Sequence, residues 1–533
     1  MTLAYQGMVA APHALASEAG VDALKAGGSA VDAAIAANSV LNNVVYPHMS
    51  GIGGDAFWLI YDSAAREVRF LNAAGRAASG ATIEWFLERG MSEIPHRGIV
   101  PGTLTVPGSV DGWCEAHDAY GRLPLRRLLE AAIDYARDGF PVTARLSEWT
   151  KQTAEVLQQT SEATIYLPGG EPPHEGQRMV LSDLAQTLEL VADGGRGAFY
   201  EGEVARKICK YAREHGGFGD EADWADQRAE WGDSVSISYR SITIHETPPP
   251  TQGVSALQAL NLVEHFDLDG MEYLGPDHVH LLVEAAKVAF HDRNRFIADP
   301  EFADVPSEWL ISKAYAEERA NLIHMDRALP WDQIPSSEAK LAGDTVYVCA
   351  VDAERNAASL IQSLYMGYGS GVVAGRSGVL LQNRGAYFSL DPEHPNICEP
   401  RKQPFHTLIA SLAFNNGDPW AVFGAMGADG QPQIHLQFYT SVIDFGRSSR
   451  EAIESPRWLF GRYALGEPRD LLNVESRFPA ETLVELEQRG HLLNRWGPWQ
   501  ERAGHANGIV IQPGTGTLMG ASDPRSDGAA IGY

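Results

Sequence analysis

An abrupt junction at residue 344 constrains this chain more than any other feature of its sequence. Polar, small and aperiodic residues over 335–344 run directly into the stretch Thr345-Val346-Tyr347-Val348. A loop followed by β-branched and aromatic residues predicts a strand that begins at Thr345. A threonine freed at its own amino terminus would carry a hydroxyl nucleophile and, in its α-amine with a pKa near ~8, a base. An ordinary turn entering a strand has the same residues. The rest of the chain must therefore distinguish a catalytic threonine from an ordinary turn.

Seven short motifs, the junction included, follow one another along the chain. The other six are Gly-Ile-Gly-Gly-Asp at 51–55, Val-Pro-Gly-Ser-Val-Asp-Gly-Trp at 106–113, Ala-Arg-Asp-Gly-Phe at 136–140, Pro-Pro-Pro-Thr-Gln-Gly at 248–253, Gly-Val-Val-Ala-Gly at 371–375 and Gly-Ala-Ser-Asp-Pro-Arg-Ser at 520–526 with a final Gly-Tyr. In this order they resemble the γ-glutamyltransferase superfamily, whose members are autocleaved N-terminal-nucleophile hydrolases. The resemblance implies cleavage between Asp344 and Thr345.

The glycine-rich loop at 51–54 has a second interpretation, because such loops also cradle phosphates. It lacks the Lys-Ser/Thr pair of a P-loop, and no strand-loop-helix spacing surrounds it. We therefore predict a close approach of two backbones near the site.

Hydrophobic spacing predicts a mixed α/β (α+β) chain. Helices are expected over 14–37, with a break at Gly27-Gly28, and over 125–137 and 277–295. Strands are expected over 57–61, 67–71, 346–351, 357–364 and 508–512. The resemblance further implies a four-layer αββα sandwich, in which residues 1–344 and 345–533 become a large and a small subunit of one intertwined domain. The sequence leaves open whether that two-chain unit dimerises.

Charge and cysteine content exclude several classes of protein. A formal net charge of -27 disfavours nucleic acid as a partner. The four cysteines are scattered without CxxC spacing, which predicts free thiols rather than a zinc site or a disulfide framework. No basic region precedes an apolar run at the amino terminus, and no segment is long enough to span a membrane. We expect a cytoplasmic protein.

The resemblance assigns catalytic roles to four residues. Thr345 is the nucleophile, first against the carbonyl of Asp344 and then against a substrate amide. Ser363 matches the position whose hydroxyl supports the nucleophile, with a plain strand serine as the alternative. Gly427 and Ala428 match the two backbone amides that bind the oxyanion; the alanine keeps the donor but restricts the backbone angles. No cofactor or metal is implied.

Substrate recognition departs from that of true γ-glutamyltransferases at several positions. Ala74 stands where those enzymes place an arginine for the glutamyl α-carboxylate, and Tyr387 stands where they place an acid for the α-amino group. His406-Thr407 replace the paired serines, and Tyr365 replaces a small polar residue. These changes remove the groups that would bind a zwitterion. They resemble instead the acylase-like branch, which includes cephalosporin acylases and oxamate amidohydrolase.

These differences predict hydrolysis of a small amide that bears a carboxylate, with oxamate favoured. Arg76, Arg384 or His406 would supply the positive partner, while Tyr365 and Tyr387 would narrow the pocket. Alternatives are a γ-glutamyl or glutaryl substrate and an uncleaved, inactive scaffold. A metalloenzyme built on Asp277, His278 and His280 is disfavoured, since histidines at i and i+2 of a helix face apart.

Overall fold

The computed structural model describes residues 1–41, 45–160, 162–331, 344–463 and 467–533. Of the loop predicted over 335–344, residues 335–343 lie outside the described residues, and Asp344 is the first residue of a strand. The strands, in chain order, are β1 Thr2–Ala4, β2 Met8–Ala11, β3 Asp55–Asp62, β4 Glu67–Ala73, β5 Phe140–Pro141, β6 Arg178–Met179, β7 Glu230–Gly232, β8 Val235–Tyr239, β9 Ile242–Glu246, β10 Asp344–Val351, β11 Ala357–Tyr365, β12 Ser411–Asn415, β13 Asp418–Ala425, β14 Trp458–Phe460, β15 Leu471–Glu475, β16 Leu492–Trp496, β17 Ala506–Ile511, β18 Leu518–Ser522 and β19 Ala529–Gly532.

The strands form two large sheets, and the helices lie on the outer faces of these sheets or pack on other helices. In chain order they are α1 Ala14–Lys25, α2 Ala30–Val40, α3 Ile83–Leu87, α4 Ile99–Leu104, α5 Ser109–Tyr120, α6 Leu125–Asp138, α7 Ala144–Leu157, α8 Ser182–Tyr200, α9 Glu203–Glu214, α10 Glu221–Ala225, α11 Gly253–Val263, α12 Pro276–Phe296, α13 Ser307–Leu310, α14 Lys313–Ala320, α15 Gln431–Ile443, α16 Ser449–Glu454 and α17 Ala480–Gln488. The predicted helices and strands are all present, with ends shifted by a few residues.

Both large sheets have seven antiparallel strands. Sheet I has the order β19-β2-β10-β11-β3-β4-β7, and sheet II has the order β1-β18-β17-β13-β12-β9-β8. Each sheet contains strands from before and after the junction at Thr345, so a cut there would leave both sheets built from two chains. The division into two subunits itself stays a prediction.

Four layers follow from the way the sheets bury their faces. Along β3, Phe57 and Leu59 enter the core between the two sheets, whereas Trp58 and Ile60 enter the core under the helices on the other side of sheet I. This alternation is the period of two expected of a strand. Helices α1, α2 and α5 contact sheet I, with α6 and α8 packed outside them, and α11, α15 and α16 contact sheet II, with α12 packed on α11. The αββα sandwich is confirmed.

Local sequence signals explain why the elements begin where they do. In α2, the Ser29 hydroxyl accepts the N–H of Asp32 at 3.1 Å, and the Asp32 carboxylate accepts the N–H of Ser29 at 2.9 Å. This capping box satisfies two amides that would otherwise lack a helical partner. The four cysteines are buried and free, in agreement with the sequence. Among the described residues, no helix is long and apolar enough to cross a membrane.

Candidate active site

Thr345 is the second residue of β10, and a β-bulge shapes its surroundings. Asp344 pairs with Tyr365 and Val346 pairs with Gln362, so two residues of β11, Ser363 and Leu364, lie opposite Thr345 alone. A bulge bends its strand and redirects a side chain, and bulges are frequent beside active sites. Thr345 is buried. The bulge therefore places the Ser363 side chain at the junction that the sequence singled out.

The hydroxyl of Ser363 contacts the junction directly. It donates to the carbonyl oxygen of Asp344 at 2.5 Å and accepts the backbone N–H of Tyr365 at 2.7 Å. Tyr365 ends the strand with φ of +81°, a strained conformation for an aromatic residue. On the other side, an added Cβ at Gly54 would lie 2.3 Å from the Ser363 carbonyl oxygen. The close backbone approach predicted for the loop at 51–54 is thus present at the site.

Arg384 lies behind Ser363 and is fully buried. Its Nη2 donates to Ser363 Oγ at 3.3 Å, and its Nη1 donates to Thr407 Oγ1 at 3.3 Å. The guanidinium carbon lies 4.8 Å from the ring centre of Tyr365 and 5.4 Å from that of Tyr387. Burial lowers the pKa of Arg384, but a guanidinium stays protonated in proteins. Five of the predicted site residues therefore form one cluster.

His406 joins the same cluster through a buried carboxyl group. Its Nε2 lies 3.6 Å from Oδ2 of Asp55, and both side chains are fully buried. Burial, and then repulsion from Arg384, lower the pKa of His406 well below its ordinary value, so the imidazole is neutral. Burial raises the pKa of Asp55 to about 6, although Arg384 opposes that shift. Of the candidate positive partners in this cluster, only Arg384 carries a charge at neutral pH.

The turn predicted to bind the oxyanion starts at Gly427, with φ of +145°, and continues at Ala428, with φ of +47°. Glycine adopts a positive φ readily, whereas a positive φ is strained for alanine because of its Cβ. Met426 N–H donates to the carbonyl of His505 at 2.9 Å, and Gly430 N–H donates to that of Gly427. The amides on either side thus hold the turn that presents Gly427 and Ala428.

Gln252, in the motif at 248–253, fastens this turn to the Arg384 cluster. Its Nε2 donates to the carbonyl of Ala428 at 2.8 Å and to that of Thr407 at 2.7 Å. Its Oε1 accepts a hydrogen bond from Arg293 Nη1 at 2.7 Å. These three hydrogen bonds fix the orientation of the side-chain amide. This motif was one of those that indicated the family, but the sequence predicted no role for its glutamine. In the structure this glutamine holds the turn at Gly427 and Ala428 at a fixed distance from the Arg384 cluster.

A cavity of about 150 Å³ opens beside the junction. It is lined by Arg97, Trp149, Thr153, Asp344, Met366, Gly367, Met426, Gly427, Tyr463 and Arg502. Burial raises the pKa of the Asp344 carboxyl to about 7, and Glu501 adds to the shift while Arg97 and Arg502 oppose it. The cavity joins Asp344, after which cleavage is predicted, to the turn predicted to bind the oxyanion. The sequence did not predict its two arginines.

Comparison with known proteins matches residues 16–533 to the family model described as Gamma-glutamyltranspeptidase. The chain belongs to the γ-glutamyltranspeptidase family. A glutathione hydrolase-like YwrD proenzyme of Bacillus subtilis (strain 168) is 41% identical over 98% of both chains. An oxamate amidohydrolase proenzyme of Klebsiella pneumoniae is 39% identical over 99% of this chain and 98% of its own length. The crystal structure of a cephalosporin acylase from Bacillus halodurans superposes with a TM-score of 0.92 at 36% identity, covering 100% of this chain and 96% of that one.

Membership of the γ-glutamyltranspeptidase family makes the chain an N-terminal-nucleophile hydrolase or acyltransferase, as its motifs predicted, and disfavours the inactive scaffold. One predicted residue lies apart from the cluster. The guanidinium of Arg76 contacts Glu230 at 2.9 Å, Glu301 at 2.8 Å and Asp299 at 3.7 Å. Three carboxylates already neutralise this charge, so Arg76 has the contacts of a structural ion-pair residue. Its role in substrate binding stays a prediction.

The alternative of a metal site is not supported by the side chains at 277–280. Asp277 pairs with Arg489 at 2.5 Å, His278 Nδ1 accepts a backbone N–H at 3.1 Å, and His280 Nδ1 lies 2.8 Å from His491 Nε2. The three side chains thus point to different partners, as expected for their spacing.

His280 does meet two other potential ligands, Glu284 and His491, in a buried cluster. The cluster is already satisfied, because His280 Nε2 lies 2.9 Å from the carbonyl oxygen of His324 and Lys287 Nζ lies 2.7 Å from Glu284 Oε1. A buried ammonium at this distance repels a cation. We interpret the cluster as structural.

Proposed function

We propose that this protein is an autoprocessing N-terminal threonine amidohydrolase that cleaves a small amide bearing a carboxylate, with oxamate as the favoured substrate. The observation that carries the proposal is the buried positive charge of Arg384, which no carboxylate contacts directly. Among the described residues, no carboxylate oxygen lies within 4.0 Å of its nitrogens, and its neutral partners are two hydroxyl groups.

Asp55 and Asp429 act on this charge only from beyond that distance, and a buried charge without a direct ion pair is costly. A substrate carboxylate would supply the direct ion pair, and a planar guanidinium binds a carboxylate well. The rings of Tyr365 and Tyr387 flank the guanidinium and would confine a small anion there. Arg384 therefore supports a substrate with a negative charge close to the reacting amide.

The position of Arg384 further supports a short substrate. Two hydrogen bonds, of 3.3 Å and 2.5 Å through Ser363 Oγ, separate its Nη2 from the carbonyl oxygen of Asp344. In oxamate the carboxylate is bonded directly to the amide carbonyl carbon, whereas in a γ-glutamyl group it is several carbons further away. A guanidinium so near the reacting carbonyl suits oxamate better.

Maturation would precede hydrolysis. Thr345 Oγ attacks the carbonyl carbon of Asp344, the Asp344–Thr345 peptide bond breaks, and the nitrogen leaves as the α-amine of Thr345. Water then hydrolyses the resulting ester, giving a chain that ends at Asp344 and one that begins at Thr345. Relatives named as proenzymes support this step. The two chains would stay together as a heterodimer, because both sheets contain strands of each.

In the mature enzyme the α-amine of Thr345 would take the proton of its own hydroxyl. The oxygen attacks the amide carbon of oxamate, and the N–H groups of Gly427 and Ala428 stabilise the oxyanion, typically by about 3 kcal/mol per donor. Ammonia leaves with the transferred proton, and water releases oxalate from the ester on Thr345. The nucleophile, base and oxyanion donors are all supplied by the polypeptide.

The cytoplasmic location of the protein stays a prediction.

A larger acyl group is the second candidate, and the cavity beside the junction favours it. Trp149, Met366, Tyr463 and two arginines line this cavity of about 150 Å³, and its aromatic and apolar walls suit a larger acyl group. The high TM-score with a cephalosporin acylase agrees with this alternative. Release of Asp344 after cleavage would enlarge the cavity further.

One experiment tests both candidates. Purified wild-type protein and Thr345→Ala are analysed by denaturing mass spectrometry and incubated with oxamate, a glutaryl anilide and a γ-glutamyl anilide. We expect two fragments divided after Asp344 in the wild type only, and ammonia from oxamate. Cleavage combined with anilide turnover and no ammonia would instead assign a larger acyl group. An uncut, inactive wild-type chain would refute the proposal.

A further inference from the structure

The hydroxyl of Ser363 has a complete and unequal set of hydrogen bonds. A serine hydroxyl has one proton to donate and two lone pairs to accept with. Tyr365 N–H, at 2.7 Å, and Arg384 Nη2, at 3.3 Å, are both donors with nothing to accept. They use the two lone pairs, so the single proton must point elsewhere. It points to the carbonyl oxygen of Asp344, at 2.5 Å.

The geometry points to Arg384 as a positioning residue for autocleavage, which directs the Ser363 proton onto the scissile carbonyl of Asp344. This inference rests on the proposed autocleavage and is independent of the substrate. In the attack of Thr345 Oγ on the Asp344 carbonyl carbon, negative charge develops on the carbonyl oxygen. Ser363 is the donor that meets this oxygen, so in the precursor it stabilises the oxyanion.

The same arrangement excludes another role for Ser363 in the precursor. A base that takes the proton of Thr345 must have a free lone pair, and both lone pairs of Ser363 Oγ are engaged by donors. A nearby guanidinium also makes the hydroxyl a stronger donor and a weaker base, because positive charge polarises the O–H bond. Ser363 therefore acts on the carbonyl of Asp344 and not on the hydroxyl of Thr345 before cleavage.

The fold holds the guanidinium in this position from two sides. Asn383 N–H donates to the carbonyl of Leu364 at 3.1 Å, and Asn383 Oδ1 accepts Met366 N–H at 3.1 Å. The segment before Arg384 is therefore tied to the end of β11 that carries Ser363. On the far side, Thr407 Oγ1 accepts Nη1 and fixes the rotation of the guanidinium plane.

The test is a double-mutant cycle on the rate of autocleavage. Wild type, Arg384→Met, Ser363→Ala and the double variant are made by cell-free synthesis, and denaturing mass spectrometry follows the two fragments over time. We expect each single variant to mature about 10- to 100-fold more slowly, the usual effect of losing one charge-assisted hydrogen bond in a transition state. Because Arg384 acts through Ser363, the double variant should be no slower than Ser363→Ala.

Controls separate this role from a merely structural one. Arg66→Met removes an exposed arginine that pairs with Asp418 at 3.1 Å, outside the cluster, and should mature at the wild-type rate. Arg384→Lys keeps the charge and should recover part of the lost rate. If Arg384→Met shows no thermal transition, the same cycle with Arg384→Lys and Ser363→Ala gives the answer. Each variant is also melted in the Thr345→Ala background to confirm folding.

The possible outcomes distinguish a failure of the positioning role of Arg384 from a failure of autocleavage itself. A wild-type chain that is never cleaved would refute autocleavage itself. A cleaved wild type with Arg384→Met maturing at the same rate would overturn the role of Arg384 alone. Slowing by Arg384→Met that multiplies with that of Ser363→Ala would also overturn it, since two independent effects multiply.

Discussion

Replacing Asp523 with asparagine should destabilise the fold and disturb the oxyanion turn together. Asp523, in the tail motif, is fully buried between two arginines. Its Oδ2 accepts Arg457 Nη2 at 2.5 Å and Ala506 N–H at 3.0 Å, and its Oδ1 accepts Arg525 Nη1 at 3.1 Å. The neighbouring His505 carbonyl accepts Met426 N–H, directly before the turn.

The size of the effect follows from the charge. Although burial opposes the shift, Arg457 and then Arg525 lower the pKa of Asp523 to about 2. Relative to an ordinary value near ~3.9, protonation alone would then cost roughly 2–3 kcal/mol. Asparagine also leaves two buried arginines with less counter-charge, and breaking a buried pair typically costs about 3–5 kcal/mol. Because the folded-state pKa is lowered, this stabilisation is complete above pH ~4 and lost as the pH falls through ~2.

The assay is urea unfolding in the Thr345→Ala background, which keeps a single chain, followed by tryptophan fluorescence. The midpoint for Asp523→Asn should fall clearly at neutral pH and approach that of the parent as the pH nears 2. Asp138→Asn is the matched control, because Asp138 forms an exposed pair with Arg137 and should leave the midpoint unchanged. In the cleavable protein, kcat should fall by about tenfold, since small displacements of oxyanion donors are costly. Equal midpoints for Asp523→Asn and its parent would refute this reasoning.

Further predictions concern the precursor, the turn and Gly75. Since burial raises the pKa of Asp344 to about 7, the folded precursor binds a proton that the unfolded chain has lost between pH ~4 and 7. Stability of the uncleavable precursor should therefore fall as the pH rises through that range. Asp344→Asn should reduce the slope of the urea midpoints against pH, while Asp55, with a pKa of about 6, still contributes to it; a slope that Asp344→Asn leaves unchanged would contradict the assignment. Gln252→Ala removes a hydrogen bond to the Ala428 carbonyl and should lower kcat about tenfold with little change in KM, whereas unchanged steady-state kinetics would exclude this clamp. Gly75→Ala should not yield folded protein, because a Cβ there would lie 1.6 Å from a backbone carbonyl oxygen; Gly80→Ala, with its nearest neighbour at 3.9 Å, should fold normally, and soluble yield distinguishes the two.

Much of the secondary structure could be predicted from residue spacing alone. The helices from Ala14 to Val40 and the strands on either side of the turn at 353–356 have the periods of their elements, since each element buries one or two faces. The order of the four layers came from the family resemblance, because propensity does not reveal which sheet a helix covers.

The site was predicted in part. The family resemblance assigned roles to Thr345, Ser363, Gly427 and Ala428, and the structure brings Ser363 to the junction and gives both Gly427 and Ala428 a positive φ. Gln252 lay in a quoted motif without a role. Its three hydrogen bonds reach residues far away in the chain, and no local pattern encodes such contacts.

Arg76 and Arg384 have different electrostatic surroundings, which the sequence could not predict. Both are arginines beside recognisable motifs, and both were candidates for binding a carboxylate. The sequence by itself predicted the strand that begins at the junction and the helices and strands around it, while the nucleophilic role of Thr345 stays a prediction of the family resemblance. Only the tertiary structure decided that three carboxylates neutralise Arg76 while Arg384 lies buried with two hydroxyl groups. The physical reason is that the electrostatic environment of a charge depends on groups brought together from distant parts of the chain.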